Sequence, residues 1–210
     1  MALLAAATLV SDYLGNGIAS SDATTLAVLG RALQRAEDLL ARRIGFPGAA
    51  PTLASGSYTL RVEASRNNTR RLLVPIAPIA SFTTIHQDLD VSFGSDTLIA
   101  STDYEAETLN NGTYLHLLPT GTTAAWYTEP RSIKVVCVAG YATEAAIHDD
   151  LADAIYRTVA DWWVRRQNRH ISSVSAHGTS QSYQELSGPI PKDVEQQLAD
   201  WTFLGQMGVS

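Results

Sequence analysis

Ile133-Lys134-Val135-Val136-Cys137-Val138-Ala139-Gly140-Tyr141, followed by Asp149-Asp150-Leu151-Ala152-Asp153-Ala154-Ile155, holds the change of pattern that organises the whole chain. Its first half is rich in β-branched residues, which fit a pleated surface, and predicts a strand over Ser132 to Val138. Gly140 permits a sharp exit from that strand, and Tyr141 can bury its ring while its hydroxyl reaches polar groups. From Asp149 the period changes. Leu151, Ile155, Val159, Trp162 and Trp163 make an apolar face, while Arg157, Asp161, Arg165 and Arg166 stay polar, which predicts a helix to about Arg169.

Upstream of the strand, about ninety residues alternate short β-type runs with turn formers. The runs are Ser57 to Val62, Arg71 to Val74, Ser81 to Gln87, Thr97 to Ile99, Asp103 to Glu107 and Tyr114 to Leu118. Asn67-Asn68 and Asn110-Asn111-Gly112 read as turns. The glycosylation sequons at Asn67 and Asn111 are set aside in favour of the turn reading, because no secretory signal accompanies them.

Before the β region, Leu26, Leu29, Leu33, Ala36, Leu40 and Ile44 recur at three and four. This predicts a long amphipathic helix from Asp22 to Phe46, capped by Ser21 or Asp22. Gly45, Pro47, Gly48 and Pro51 end it. The opening Met1-Ala2-Leu3-Leu4-Ala5-Ala6-Ala7 lacks a basic leader and is cut short by Asp12, so it reads as a first helix retained on the protein.

Beyond Arg169, Ile171 to Ser187 is rich in Ser, His, Gly and Gln and predicts a linker or arm without packed structure of its own. Pro189-Ile190-Pro191 then leads into Val194, Leu198, Trp201 and Leu204, a short amphipathic helix with Pro191 at its first turn. The expected fold class is α+β: two long helices plus short N- and C-terminal helices form a helical frame with an inserted β-rich block. The expected division is 1–46 helical, 47–141 β-rich, 142–170 the helix completing the core, and 171–210 the arm and short helix.

With 210 residues, 45% hydrophobic and 17% charged, the chain can bury a core without staples. Its one cysteine, Cys137, sits in an apolar run and reads as a small buried hydrophobe. A net charge of −6 argues against broad adhesion to nucleic-acid phosphates. No apolar stretch reaches the roughly 18–20 residues that span a bilayer.

Residues that could carry chemistry are scattered. His86, His116, His148, His170 and His177 make no metal-ligand spacing. His148, Asp149, Asp150 and Asp153 could bind a hard cation or act as acid and base, but carboxylates at a helix start are also what the helix dipole favours. Ser172, Ser173, Ser175 and Ser180 near His170 and His177 lack the strand-nucleophile-helix elbow of a hydrolase. No phosphate-binding loop or dinucleotide fingerprint occurs. No catalysis, metal or cofactor is expected. Arg66, Arg70 and Arg71 gather at a predicted hairpin and are open to two readings, contacts with DNA phosphate or an acidic neighbour, or solvated turn charges.

The order helix, helix, β block, helix, arm, helix resembles the tailed-phage head-tail connector family, the adaptors that form a ring beneath the portal. The resemblance covers nearly the whole chain. It runs through Asp12-Tyr13-Leu14-Gly15, the helix end Ala36 to Phe46, Leu72-Leu73-Val74-Pro75-Ile76-Ala77-Pro78-Ile79-Ala80-Ser81-Phe82-Thr83-Thr84-Ile85, Asp103-Tyr104-Glu105, and the Ala139-Gly140-Tyr141 passage with its helix. His148 departs from it, standing where the family usually has proline.

The resemblance implies a non-enzymatic structural subunit at the neck of a virion or phage-like particle, made in the bacterial cytoplasm. It implies a self-assembled ring, twelvefold on a portal of that symmetry, which extends the DNA channel and carries a stopper or tail-completion protein. The implied partners are further copies of the chain, the portal, that stopper and double-stranded DNA in transit without sequence recognition; no membrane is involved. Val194, Leu198, Trp201 and Leu204 would dock on the portal, with Trp201 as anchor. The alternatives are a stopper or tail-terminator subunit, which would be mostly β, and a small metal-dependent hydrolase built on the acidic cluster.

Overall fold

A computed structural model describes residues 2–14, 22–48, 50–109, 112–167, 173–176, 179–182 and 189–201. Helix α1, Ala6–Thr8, runs on as a π-helical turn over Leu9–Tyr13. Helix α2 spans Ala23–Ile44. Its start is fixed as the sequence predicts: the Asp22 carboxylate accepts from the backbone N–H of Thr24 (3.0 Å) and Thr25 (3.3 Å) and from the Thr25 hydroxyl. Leu29, Leu33, Ala36, Leu40 and Ile44 are buried along one stripe.

Among the described residues eight strands follow in chain order: β1 Gly56–Val62, β2 Arg71–Val74, β3 Ile79–Gln87, β4 Tyr104–Leu109, β5 Gly112–Leu117, β6 Ile133–Ala139, β7 Ser173–Ala176 and β8 Thr179–Ser182. Helix α3, Asp149–Gln167, lies between β6 and β7, and helix α4, Lys192–Gln197, continues as a 3-10 turn over Leu198–Trp201. The structure is α+β, with antiparallel sheets between and after the helices.

One sheet has the order β1-β6-β3 and a second β2-β5-β4. The central strand β6 alternates inward Ile133, Val135, Cys137 and Ala139 with half-buried neighbours, and pairs Tyr58 with Cys137 on one side and Ile85 with Val135 on the other. Period-2 alternation fixes that register, since a one-residue slip would turn the apolar set outward. In the second sheet Leu72, Val74, Thr113, Leu115 and Leu117 point inward. Burial raises the Cys137 thiol to about 11, so it stays neutral near pH 7 and serves as packing.

Two strand-level expectations are corrected. Ser95–Thr97 is a 3-10 turn, and Leu98 makes only an isolated bridge with His86. The Gly94 carbonyl takes both the Thr97 N–H (3.2 Å) and the Thr97 hydroxyl (2.7 Å), which curls the segment before it can extend. The polar stretch after Arg169 holds the antiparallel pair β7-β8, with Ser173 opposite Ser182. Backbone ladders do not need apolar side chains, so composition alone hides such a hairpin.

The described elements form two compact units. Unit 1 comprises Met1–Leu40 with Glu144–Ala199; unit 2 comprises Ala41–Thr143 with Asp200–Ser210. Within unit 2 the chain ends β6 at Gly140, whose φ of 97° is open to glycine and strained for other residues. The Tyr141 N–H donates to the Leu53 carbonyl (2.8 Å), and the Ser55 N–H donates to the Tyr141 carbonyl (2.9 Å), so the entry to the β region and its exit are clasped together. Tyr141 is buried, and desolvation raises its hydroxyl to about 12.

Candidate docking surfaces

Unit 1 is tied together by polar contacts that reach across the sequence. Tyr13 stacks on Tyr156 with ring centroids 5.0 Å apart and donates its hydroxyl to Asp153 (2.9 Å). Tyr156 donates to Glu144 (2.8 Å). Burial first, then the hydrogen bond to Asp153, raises Tyr13 to about 12; burial and Glu144 raise Tyr156 as well. Tyr13, quoted from the sequence, therefore has a structural task, holding the first helix on α3.

Glu37 is the residue that sequence reasoning missed. It is buried on α2 and accepts from the backbone N–H of Leu3 (3.0 Å) and Leu4 (2.9 Å), which fastens the N-terminal segment. Desolvation raises its carboxyl above the usual value, against the lowering effect of the two amides. The signal was present: Glu37 stands four residues after Leu33 and three before Leu40, inside the apolar stripe.

Of the expected portal-docking residues, Val194 and Leu198 are buried and α4 packs against α3. Gln197 donates to the Asp150 carbonyl (2.9 Å), and Asp193 pairs with Arg157 (3.3 Å). Trp201 is also buried; Leu204 lies outside the described residues. A contact made through Val194 and Leu198 therefore requires α4 to leave α3.

The three arginines separate. Arg66 is exposed in the turn that pairs Ser65 with Asn68, and Arg70 reaches the Leu117 carbonyl at 3.5 Å. Arg71 lies in β2 with its guanidinium 3.6 Å from the Tyr114 ring centroid and 3.9 Å from Glu107, so much of its charge is engaged inside its own sheet.

The acidic cluster does not converge on one point. Asp153 takes the Tyr13 hydroxyl and lies 3.5 Å from Arg157, while Asp150 is 3.6 Å from His148. No group of three or more metal-ligating side chains gathers among the described residues. His86 meets Thr97 (3.3 Å) and His116 meets Glu107 (3.1 Å). His170, His177 and Ser172 lie outside the described residues, and of Ser173, Ser175 and Ser180 only the strand backbone is described. Among the described residues, no helix is long and apolar enough to cross a membrane.

At its other end α3 carries Trp162, Trp163 and Val164 together with Arg165 and Arg166. The Arg35 guanidinium lies 5.9 Å from the Trp162 ring and the Arg166 guanidinium 5.8 Å from the Trp163 ring. The Trp162 indole N–H donates to the Pro189 carbonyl (2.6 Å), and Val164 is 47% exposed. Elsewhere in unit 1 an open groove of about 440 Å³ is lined by Ala2, Leu4, Ala27, Gly30, Arg31 and Gln34.

The architecture has a counterpart among solved structures: a chain from the neck of an empty GTA particle, computed with C6 symmetry, superposes with a TM-score of 0.54 at 20% identity, over 99% of this chain and 93% of that one. The fold is similar to that of a GTA neck chain. A chain from the virion of the native gene transfer agent (GTA) particle gives a TM-score of 0.53 at 22% identity, over 89% of this chain and 93% of its own length. The likeness to the GTA neck chain takes in residues of both units. No family model matches the chain, and no curated protein matches it in sequence.

Proposed function

We propose that the chain is a head-to-tail adaptor of a phage or phage-like particle, a ring subunit that sits below the portal, extends its DNA channel and carries the stopper or tail-completion protein. The observation that carries this reading is the fold shared along 99% of the chain with a chain from a GTA neck. Two long helices of 22 and 19 residues favour the adaptor over a stopper or tail terminator, which would be mostly β.

Copies meet through unlike faces, as ring closure demands, with twelve copies on a twelvefold portal. A net charge of −6 suits a channel that lets DNA pass rather than holds it. The terminal segment bearing Val194, Leu198, Trp201 and Leu204 docks on the portal; α4, only six residues long, detaches from α3 as it binds. Many identical segments acting together make the attachment durable even when each is weak.

The test adds purified chain to tail-less, portal-bearing heads and images their necks by cryo-EM. A ring of density directly below the portal is expected, and Leu204→Asp should reduce its occupancy. Heads that stay bare, or chain bound to the capsid away from the portal, would overturn the reading.

A further inference from the structure

Helix α3 is electrically and chemically polarised along its length, and the contacts within the chain engage each end only in part. Its first turn exposes Asp149 and Asp150, and α4, which packs on α3, carries exposed Asp193 and Glu195. Asp193 reaches Arg157, which sits seven residues after Asp150 and so on nearly the same side of the helix. The last turn presents the opposite character, with Trp162, Trp163 and Arg166 joined by Arg35 from α2.

The helical repeat separates these two patches. Asp150 and Arg166 are 16 residues apart, which is about 24 Å along the axis and about 160° around it. They cannot meet within one molecule. The aromatic patch also continues the stripe that is buried at Leu151, Ile155 and Val159 but is only half-buried at Trp162 and Trp163. The core thus runs out before the apolar face does.

We propose that the two patches are the two halves of one contact between copies of this chain: the Arg35, Trp162, Trp163 and Arg166 surface of one subunit receives the Asp149, Asp150, Asp193 and Glu195 surface of the next. This rests on the ring reading and names the faces that close it before portal docking, while α4 lies on α3; once α4 moves to the portal, Asp149 and Asp150 carry the acidic side. Charge complementarity selects a second copy as the occupant. The half-turn between the patches selects a head-to-tail arrangement, because a twofold dimer uses the same face of both partners.

Charge exchange tests the contact. One variant carries Arg35→Glu with Arg166→Glu, the other Asp150→Lys with Asp193→Lys, and circular dichroism checks that each is folded. Sedimentation and native mass spectrometry then follow assembly. Wild-type chain should form a closed ring. Each variant alone should need about tenfold more protein or higher to assemble, and an equimolar mixture should recover, since every reversed face then meets a reversed partner. Assembly of the wild type should also weaken as salt rises.

If wild type and both variants form the same ring equally well, the contact is wrong and the ring reading survives. If the wild type forms a twofold dimer through these residues, the head-to-tail arrangement is wrong. If it stays monomeric at the concentrations reached on a crowded portal, the contact and the ring reading both fail.

Discussion

Gly140 lies so close under the backbone of Ala54 that a Cβ on it would come within 2.7 Å of the Ala54 carbonyl oxygen, and within 2.8 Å of that of Leu53. The Gly140 N–H meanwhile donates to the Pro78 carbonyl (3.0 Å), so the residue cannot back away. Gly140→Ala adds both this clash and the strain of a φ of 97°. A loss of about 2–4 kcal/mol is expected in urea unfolding, because strained backbone and overpacking each cost about 1–3 kcal/mol. A variant as stable as wild type would show that the clasp opens cheaply.

Glu37 supports the N-terminal segment through two amides from a buried position. Glu37→Ala leaves both without that acceptor and should cost about 1–3 kcal/mol. Glu37→Gln retains one acceptor oxygen and should fall between. Hydrogen exchange gives the specific readout: the amides of Leu3 and Leu4 should lose protection first, ahead of those in the middle of α2.

Asp88 makes the folded state acid-sensitive. The Ser92 hydroxyl, followed by the Phe93 and Asp90 amides, stabilises its carboxylate and lowers it from 3.8 to about 2. A folded-state value below the unfolded one contributes stability that is complete above about pH 4 and is lost as pH falls toward 2. Stability measured from pH 5 to pH 2.5 should therefore decline less steeply in Asp88→Asn than in wild type. Parallel curves would show that Asp88 does not titrate in that window.

Gly30 is an interior residue of α2, and beyond its chain neighbours and the backbone of its own helix no atom lies within 4 Å of the place a Cβ would occupy. Replacing it by alanine removes the helix penalty of glycine without a clash, so Gly30→Ala should raise stability by about 0.5–1 kcal/mol. Thermal melting of the isolated chain measures it.

The local signals were legible in the sequence. The Leu29 to Ile44 spacing and the Asp22 cap placed α2, β-branched composition placed β6, and Arg71 to Val74 has the same bounds as β2. What escaped depends on partners distant in sequence. Glu37 makes sense only once Leu3 and Leu4 are known to return to α2. Leu98 looked like part of a strand, yet the carbonyl of Gly94 bends the residues before it into a turn. The face of Val194 and Leu198 shows the limit most clearly: amphipathicity announces that such a face will be covered and says nothing of what covers it, and here α4 lies on α3.

The clasp of Leu53 and Ser55 on Tyr141 has a consequence for how such a gene can change. The two ends of the stretch from residue 56 to residue 139 are already a hydrogen bond apart, so hairpins within it can lengthen or be exchanged without displacing the places where the chain enters and leaves. Closure entropy adds only about 0.6 kcal/mol for each doubling of a loop. The β region is in this sense a cassette, free to diversify toward new neighbours while its attachment points stay fixed.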